Sequence, residues 1–228
     1  MSFLSTFVCR SRITQYPKPP LGGCIIGPRV VLRIGETTDW KSWRLARESS
    51  RDFLVPWEPS WPSHALTSEH FSAQLRRHWK EWREGKGYAF QICLKNKQTI
   101  FDGELSLPLY KQNIPREILA EVRSLPVIGG IALNDVARGI GQKGTLGYWI
   151  DESYSRQGLM KEAASLVCSF AFDVLRLHRI EASCMTENEP SKRLLASLDF
   201  KHEGFAEEYL KINGHWRDHL LWGKVNEG

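Results

Sequence analysis

Apolar residues follow two different spacings along this chain, and the spacings alternate from one segment to the next. Short alternating or β-branched runs predict strands, whereas apolar residues three and four positions apart predict amphipathic helices. The predicted strands are residues 30–34, 88–94, 128–133, 145–150 and 179–185, followed by two strands within residues 209–221. Asn213-Gly214 separates the last two strands and predicts a tight hairpin turn, because these residues accept a positive φ.

Helical spacing is clearest in the second half of the chain. A stripe of apolar residues predicts a helix of about five turns from Gly158 to Arg176. Other helices are predicted after residues 37–39, after Thr67 or Ser68, and over residues 188–197. The first two of these carry residues expected to pack in the core: Trp40, Trp43, Leu45, Ala46, Phe71, Leu75, Trp79 and Trp82. This order of elements predicts one domain of the mixed α/β class.

The segments outside these elements suggest the domain boundaries. Residues 1–29 hold four prolines and three glycines, which predict an extended or disordered tail before a folded domain over residues 30–224. The tail is basic and free of acidic residues, as an organellar transit peptide is, so that alternative stays open. Residues 97–126 hold an apolar run, 101–109, and a possible short helix, 115–122. We expect this segment to be an insertion into the sheet.

The composition excludes several classes of protein. With 228 residues, 42% hydrophobic and 25% charged, the chain matches an ordinary globular domain. Its five cysteines include no Cys-x-x-Cys pair, which argues against disulfide scaffolds and zinc ribbons and favours free thiols in the cytoplasm. No apolar stretch approaches the roughly 20 residues of a bilayer span, so no membrane partner is expected. His215 and His219 would lie roughly 13 Å apart along a strand, so no metal is expected either.

The charge and one turn of the chain point to an anionic ligand. A net charge of +5 and a pI near 9.0 favour a polyanionic partner, such as a phosphorylated cofactor or a ribosomal surface. Between the predicted strand 145–150 and the long helix lies the turn Ser155-Arg156-Gln157-Gly158-Leu159-Met160. A glycine turn at a helix start directs backbone N–H groups to one point, where the helix dipole adds positive potential. A phosphate fits there, although such a pattern is also that of an ordinary turn.

The same turn resembles the acetyl-CoA signature Gln/Arg-x-x-Gly-x-Gly/Ala of the GCN5-related N-acetyltransferases, with Gly158 as its strictly kept position. Further blocks resemble the Rim-type branch of that superfamily, which acetylates ribosomal-protein N termini. These blocks are residues 54–59, 146–150, 178–180, 188–191 with 198–200, and 203–219. Together they cover roughly residues 30–222 in the order of that branch.

The resemblance implies a fold and a cofactor site. The fold is a mixed sheet with splayed central strands, and the pantetheine of acetyl-CoA would lie between the strand ending at Ile150 and the strand ending at Met185. The residues implied in binding acetyl-CoA are Trp149, Ile150, Arg156, Gln157, Gly158, Leu159, Met160 and Asn188. Backbone N–H groups of residues 148–150 would polarise the thioester carbonyl.

The resemblance also assigns catalytic roles. It implies Glu208 as the general base, with Glu58 in reserve, and Ser191 as the group that reprotonates the departing thiolate. The residue patterns allow plainer interpretations: Asn188 and Ser191 fit a helix start, and adjacent Glu207 and Glu208 point to opposite faces of a strand, where either is a solvated charge.

The implied acceptor is the N-terminal amine of a protein, most often a ribosomal-protein alanine. Deprotonating an α-amine at pH 7 costs roughly 1 kcal/mol, against roughly 4.6 kcal/mol for a lysine amine, so the α-amine is the easier acceptor. Two alternatives remain: an acetyltransferase for a small-molecule amine, and a basic ribosome- or RNA-binding module without catalysis. The expected partners are acetyl-CoA and a ribosomal protein, with possible ribosome contact, and the expected state is a monomer or a homodimer.

Overall fold

Eight strands form one sheet in this protein. The computed structural model describes residues 24–95 and 116–227, and the side chain of Arg116 lies outside the description. In chain order the strands are β1 (Cys24–Ile26), β2 (Val30–Arg33), β3 (Tyr88–Leu94), β4 (Val127–Ala137), β5 (Lys143–Ile150), β6 (Arg179–Met185), β7 (Lys201–Ile212) and β8 (His215–Val225). Their order across the sheet is β1-β2-β3-β4-β5-β6-β8-β7, so the sheet follows the chain until the last two strands.

Within the described residues six α-helices cover the sheet. They are α1 (Trp40–Ser49), α2 (Arg51–Leu54), α3 (Ser68–Glu84), α4 (Arg116–Ser124), α5 (Leu159–Ser169) and α6 (Glu189–Ser197). The helix predicted to run to Arg176 is α-helical only to Ser169, and a π-helical turn over Phe170–Val174 follows it. The predicted mixed α/β class is therefore confirmed.

The centre of the sheet opens between β5 and β6. These two strands form the sheet's parallel pair, and their pairing comprises Lys143 with Arg179, Gly144 with Ile180 and Thr145 with Glu181. Beyond Thr145, β5 pairs with β4 alone, and β6 pairs with β8 alone. The carboxyl-terminal halves of β5 and β6 therefore diverge, which leaves backbone groups of both strands facing a gap.

Both faces of the sheet are buried. On one face α5 packs against strand residues such as Val30, Leu32 and Phe90, around Phe170. On the other face α1, α3 and α4 pack against Val31 and Cys93 through Trp43, Phe71 and Val122. Successive residues of β2 thus enter different cores, as the two-residue period of a strand requires.

A buried ion pair fixes α1 to this second face. Arg33 on β2 donates two hydrogen bonds to Asp39, just before α1, at 2.7 and 2.6 Å, and a third to the Leu125 carbonyl at 3.1 Å. The two side chains are only 3% and 4% exposed. Their geometry is the bidentate arrangement that compensates two buried charges.

The structure corrects three expectations about packing. Residues 24–26 were expected to lie in an irregular tail, but they form β1 and are buried against β2, because Cys24, Ile25 and Ile26 supply apolar side chains to both cores. Leu45 is 67% exposed and Trp79 is 39% exposed, so neither is a core residue. Leu45 lies on the outer side of α1 and Trp79 lines an open cavity. Helical spacing alone does not separate the edge of an apolar stripe from its centre.

Other predictions are confirmed within the described residues. Asn213 and Gly214 have φ of 45° and 85° and form the turn between β7 and β8. The short helix predicted over 115–122 is α4. Residues 1–23 and the apolar run 101–109 lie outside the described residues.

Candidate active site

The turn between β5 and α5 has the geometry of an anion site. Arg156 and Gly158 both have positive φ, 57° and 75°, and Gly158 is the residue that precedes the first turn of α5. Arg156, Gln157 and Gly158 are exposed, whereas Leu159 is buried and Met160 is half-buried. Left-handed residues that alternate with right-handed ones direct successive N–H groups to one side, and the helix adds its positive end. The five residues implied in pyrophosphate binding thus lie together on one turn.

A cluster of hydrogen bonds holds this turn against the start of β2. Glu162, in the first turns of α5, accepts hydrogen bonds from the backbone N–H groups of Arg29 and Val30 at 2.7 and 2.9 Å, and from Arg29 Nε at 3.0 Å. Arg29 Nη1 in turn donates to the Gln157 carbonyl at 2.9 Å. These bonds place the Arg29 guanidinium beside Gly158, so the turn has both a fixed position and a nearby positive charge.

Two hydroxyl groups meet across the gap between β5 and β6. Tyr148 Oη lies 2.6 Å from Ser191 Oγ, and Ser191 belongs to the first turn of α6, which follows β6. Burial raises the pKa of Tyr148 to about 12, while its hydrogen bond to Ser191 acts in the opposite direction. The Tyr148 hydroxyl therefore keeps its proton at neutral pH. Because one hydroxyl donates to the other, the pair has one O–H left to donate to an anion in the gap.

Asn188 performs the plainer role that the sequence allowed. Its Oδ1 accepts a hydrogen bond from the Ser191 backbone N–H at 3.0 Å, so it caps α6. This bond also fixes where the Ser191 hydroxyl lies. Asn188 is half-buried beside the gap, and its role in binding acetyl-CoA stays a prediction.

A cavity of about 550 Å³ lies on the other side of β5, between the strands and the helices α1 and α3. That size is within the range of small-ligand sites. Five of the nine tryptophans line it: Trp43, Trp61, Trp79, Trp82 and Trp149. The lining also includes Tyr148, so the cavity borders the strand that carries the Tyr148–Ser191 pair.

An arginine occupies an aromatic box in the wall of this cavity. The Arg47 guanidinium carbon lies 4.2 Å from the ring centroid of Trp61, 4.9 Å from that of Trp149 and 5.8 Å from that of Trp43. Glu58 pairs with the same guanidinium through two hydrogen bonds of 3.0 and 2.5 Å, and Glu58 Oε2 also accepts the Trp61 indole N–H at 2.8 Å. We call Arg47, Glu58 and the three tryptophans the arginine box.

The position of Trp149 in this box depends on Gly130, its cross-strand partner on β4. A Cβ atom at residue 130 would lie 2.4 Å from Trp149 Nε1. The indole therefore lies over the bare backbone of β4, and a glycine is required there because any side chain would displace the ring.

The two carboxylates proposed as bases lie in different surroundings. Glu58 lines the cavity, but three hydrogen bonds already occupy its oxygens. Glu208 lies in a bulge of β7 with φ of 43°, is exposed, and does not line the cavity. Its backbone N–H donates to Asp218 at 2.8 Å, and its carboxylate has no hydrogen bond or ion pair within residues 24–95 and 116–227. The hairpin that carries Glu208 does reach the cavity rim, since the Asn213 N–H donates to the Glu58 carbonyl at 2.9 Å.

The described residues contain neither a candidate metal site nor a membrane-spanning helix. No group of three or more His, Cys, Asp or Glu residues in the described part of the chain could hold a metal ion. Among its described helices, none has the length and apolar character needed to cross a membrane.

The divergent strands, the glycine turn and the adjoining cavity define a class of enzyme. Residues 29–201 match the family model of the acetyltransferase (GNAT) domain, and the chain belongs to this family of N-acetyltransferases. It is 31% identical over 195 residues to the [ribosomal protein uS5]-alanine N-acetyltransferase of Escherichia coli, an alignment that covers 85% of this chain and 86% of that protein. It is 41% identical over 100 residues to the probable N-acetyltransferase YjcK of Bacillus subtilis, an alignment that covers 44% of this chain and 55% of that protein.

Solved structures of Rim-type enzymes share the fold. RimJ of Mycobacterium smegmatis, solved with CoA-disulfide, has a TM-score of 0.73 and 27% identity, with 92% of this chain and 91% of that chain covered. The ribosomal-protein-S5-alanine acetyltransferase of Vibrio fischeri has a TM-score of 0.72, at 24% identity, with 90% and 97% covered. The membership inferred from the sequence blocks is confirmed.

Four parts of this site were not predicted from the sequence: the Tyr148 hydroxyl, the tryptophan faces in the cavity, Arg29 and Arg47. The sequence indicated Tyr148 only for its backbone and Arg29 only as part of a tail, whereas the core positions of Trp43 and Trp82 were predicted correctly. Arg47 carried no signal, because its partners lie 4, 11, 14 and 102 positions away in the chain. A signal for Arg29 was available, since it directly precedes the β-branched run of β2.

Proposed function

We propose that the chain transfers the acetyl group of acetyl-CoA to the N-terminal amine of a protein, with a ribosomal protein that begins with alanine as the expected acceptor. The observation that carries this proposal is the open cavity beside β5, because its lining includes Tyr148, the residue whose hydroxyl meets Ser191 in the gap. The name of the Escherichia coli relative, which covers most of the chain, supports the alanine acceptor. The proposed place of action is the cytoplasm, where ribosomes and acetyl-CoA occur together.

In this proposal the cofactor half of the site binds acetyl-CoA mainly through backbone groups. The N–H groups of residues 156–160 hold the pyrophosphate, with the Arg29 guanidinium nearby. The unpaired edges of β5 and β6 receive the amides of the pantetheine arm, as an added strand is received. Backbone N–H groups at Trp149 and Ile150 stabilise the negative charge that forms on the thioester oxygen.

The proton balance needs one base and a hydrogen-bond donor for sulfur. The acceptor ammonium first loses a proton, and Glu208 takes it through water, because its carboxylate is not engaged by a cation. The neutral amine then attacks the thioester carbon, the carbon–sulfur bond breaks, and the second nitrogen proton passes to the thiolate. Ser191, held by Asn188 and Tyr148, stabilises that thiolate by a hydrogen bond.

The direct test is intact mass spectrometry of unacetylated ribosomal proteins after incubation with this protein and acetyl-CoA. A gain of one acetyl group, placed by peptide mapping on the first residue of one protein, is expected. Consumption of acetyl-CoA only with small amines would overturn the protein-acceptor proposal in favour of a small-molecule acetyltransferase. RNA binding without any acetyl transfer would favour the binding-module alternative.

The roles of the residues have a matched pair of variants. Glu208→Gln is expected to lower kcat about a hundredfold, mostly below pH 8, since removal of a general base typically costs 10²- to 10⁴-fold. Glu207→Gln, one residue away and also exposed, is the control and is expected to keep its kcat. Equal kcat for both variants would reject Glu208, and Glu58→Gln would then be measured in the same pH series.

The hydroxyl pair is tested separately. Ser191→Ala and Tyr148→Phe are expected to lower kcat with little change in the Kd of acetyl-CoA, because the hydroxyls act on a charge that exists only during reaction. An unchanged kcat in both variants would show that water alone assists the thiolate.

A further inference from the structure

The arginine box has the composition of a site for an ammonium ion. Aromatic faces around a cation, together with a carboxylate, are the surroundings in which proteins bind alkylammonium groups. Here Trp43, Trp61 and Trp149 supply the faces and Glu58 supplies the carboxylate. The cation at the centre is Arg47, a residue of the protein itself.

Arg47 occupies this box firmly. Its side chain is 13% exposed and that of Glu58 is 21% exposed, so the pair is largely removed from solvent. The planar guanidinium stacks on the indoles and uses both of its terminal nitrogens on Glu58, a geometry that a lysine cannot reproduce. Its Nε is buried and has no hydrogen-bond acceptor among the described residues. The guanidinium is therefore held chiefly by stacking and by Glu58.

The rest of the cavity offers no counter-charge to a second cation. The other ionisable groups of its lining are His70, His78, Arg77 and Tyr148, and Tyr148 is uncharged because burial raises its pKa to about 12. Burial lowers the pKa of His78 to about 4, and burial together with nearby His64 lowers that of His70, so both rings are neutral at pH 7. Glu58, the acidic residue in the lining, is already paired with Arg47.

We propose that Arg47 is a resident cation that sets acceptor specificity: it fills the aromatic box and thereby excludes polyamines, lysine side chains and N-terminal segments that carry several positive charges. This inference rests on the proposed function and narrows its substrate class to α-amines followed by neutral or acidic residues. An α-amine enters the site as a neutral group at small cost, whereas a polycation must bury a further charge without a partner.

The inference predicts a gain of function. Arg47→Ala is expected to empty the box and leave the Glu58 carboxylate among three indoles, which creates an ammonium site. Relative to an alanine-initiated neutral peptide, kcat/KM for spermidine should rise about tenfold or more, as expected for a desolvated cation–π contact with a counter-ion. Arg47→Lys should keep part of the wild-type preference, because it retains the resident charge but loses the stacked, bidentate geometry.

Two further variants sharpen this test. Arg44→Ala removes an exposed arginine one turn earlier on α1, paired with Glu48, and should leave the preference unchanged. The double variant Arg47→Ala with Glu58→Gln should lose the gain for spermidine. If Arg47→Ala fails to fold by circular dichroism, the isosteric Glu58→Gln decides. It leaves Arg47 uncompensated and should lower the ratio of kcat/KM for spermidine to kcat/KM for the neutral peptide about tenfold, whatever its effect on kcat.

A binding measurement separates this inference from the proposed function. Choline is added to each protein while the tryptophan fluorescence is recorded. The fluorescence of the wild type should not change, whereas that of Arg47→Ala should be quenched to a saturating level. If the wild type acetylates no peptide but the two proteins differ in quenching, the proposed function is rejected, and the occupation of an ammonium site by Arg47 is supported. If the wild type acetylates the peptide normally, and a folded Arg47→Ala shows neither quenching nor a changed preference between spermidine and the peptide, the inference about Arg47 is wrong and the proposed function stands.

Discussion

The two halves of the proposed active site are built from different parts of the polypeptide. In the proposed cofactor half, which comprises β5, β6 and the turn at 156–160, the groups available to a ligand are mostly backbone N–H and C=O groups. In the proposed acceptor half, which comprises α1, α3 and the cavity between them and the sheet, the lining consists mostly of side chains, among them five tryptophans. Backbone sites depend on a few local residues such as Gly158, whereas side-chain sites depend on contacts between distant segments. The first kind can therefore be predicted from the local sequence, and the second cannot.

The largest expected effect tests whether the proposed acceptor half depends on contacts between side chains. Arg33→Met removes the cation beside Asp39 and leaves a buried carboxylate without its partner. We expect a loss of about 3–5 kcal/mol in the free energy of unfolding, measured in urea, because an unpaired buried charge is strongly destabilising. Arg44→Met, which removes an exposed ion pair with Glu48, should cost at most about 0.5 kcal/mol. Similar losses in the two variants would contradict this account.

A second change tests the cofactor half alone. Gly158→Ala forces a residue with a side chain into a left-handed conformation, which costs roughly 1–2 kcal/mol unless the turn moves. If the turn relaxes, its N–H groups lose their common direction, and the Kd of acetyl-CoA by calorimetry should rise about tenfold. Gly139, with φ of 72° and open space around it, is the matched control. Gly139→Ala should lower stability comparably and leave that Kd unchanged; a shift in both would point to general unfolding.

Gly130→Ala should change the KM of the acceptor without changing the Kd of acetyl-CoA. Gly130→Ala places a Cβ against the Trp149 indole and should displace the ring from the arginine box. We expect the acceptor KM to rise about fivefold, the effect of roughly 1 kcal/mol of lost contact, with the Kd of acetyl-CoA unchanged. Gly204→Ala, where an added Cβ meets nothing within 4 Å, is the control. A weaker affinity for acetyl-CoA in Gly130→Ala would show that the halves are coupled through β5.

The buried cysteines are expected to have the smallest effect on catalysis, because they are parts of the two cores. Burial raises the pKa of Cys24, Cys93 and Cys168 to about 11. Since the thiolate is the reactive form, these groups should stay protonated at pH 8 and react with iodoacetamide at least a hundredfold more slowly than free cysteine. Labelling of a Cys9→Ser variant, with and without urea, measures this. Rapid labelling in the native state would show that one of the cores opens readily.

The features that the sequence alone could predict are local backbone patterns, and those that it could not predict are contacts between distant segments. The turn at Gly158, the cap at Asn188 and the hairpin at Asn213-Gly214 are local patterns with one favourable geometry, and the structure has each of them. β1 was missed because a three-residue strand between glycines has too few residues to show a period, and only pairing with β2 defines it. The arginine box was missed because it joins three segments, α1, the loop at 58–61 and β5, and nothing in the spacing of Arg47 and Trp149 predicts their contact.

The missing Cβ of Gly130 has a consequence beyond the cavity wall. Because Gly130 has no Cβ, the indole of Trp149 can lie against β4, and the Arg47 guanidinium stacks both on that indole and on Trp61. If Arg47 sets the acceptor preference as proposed, that preference depends on residues 47 and 130, and neither belongs to the turn at 156–160. Substitutions at these two positions would then give an enzyme a new acceptor during evolution while its binding of acetyl-CoA is kept.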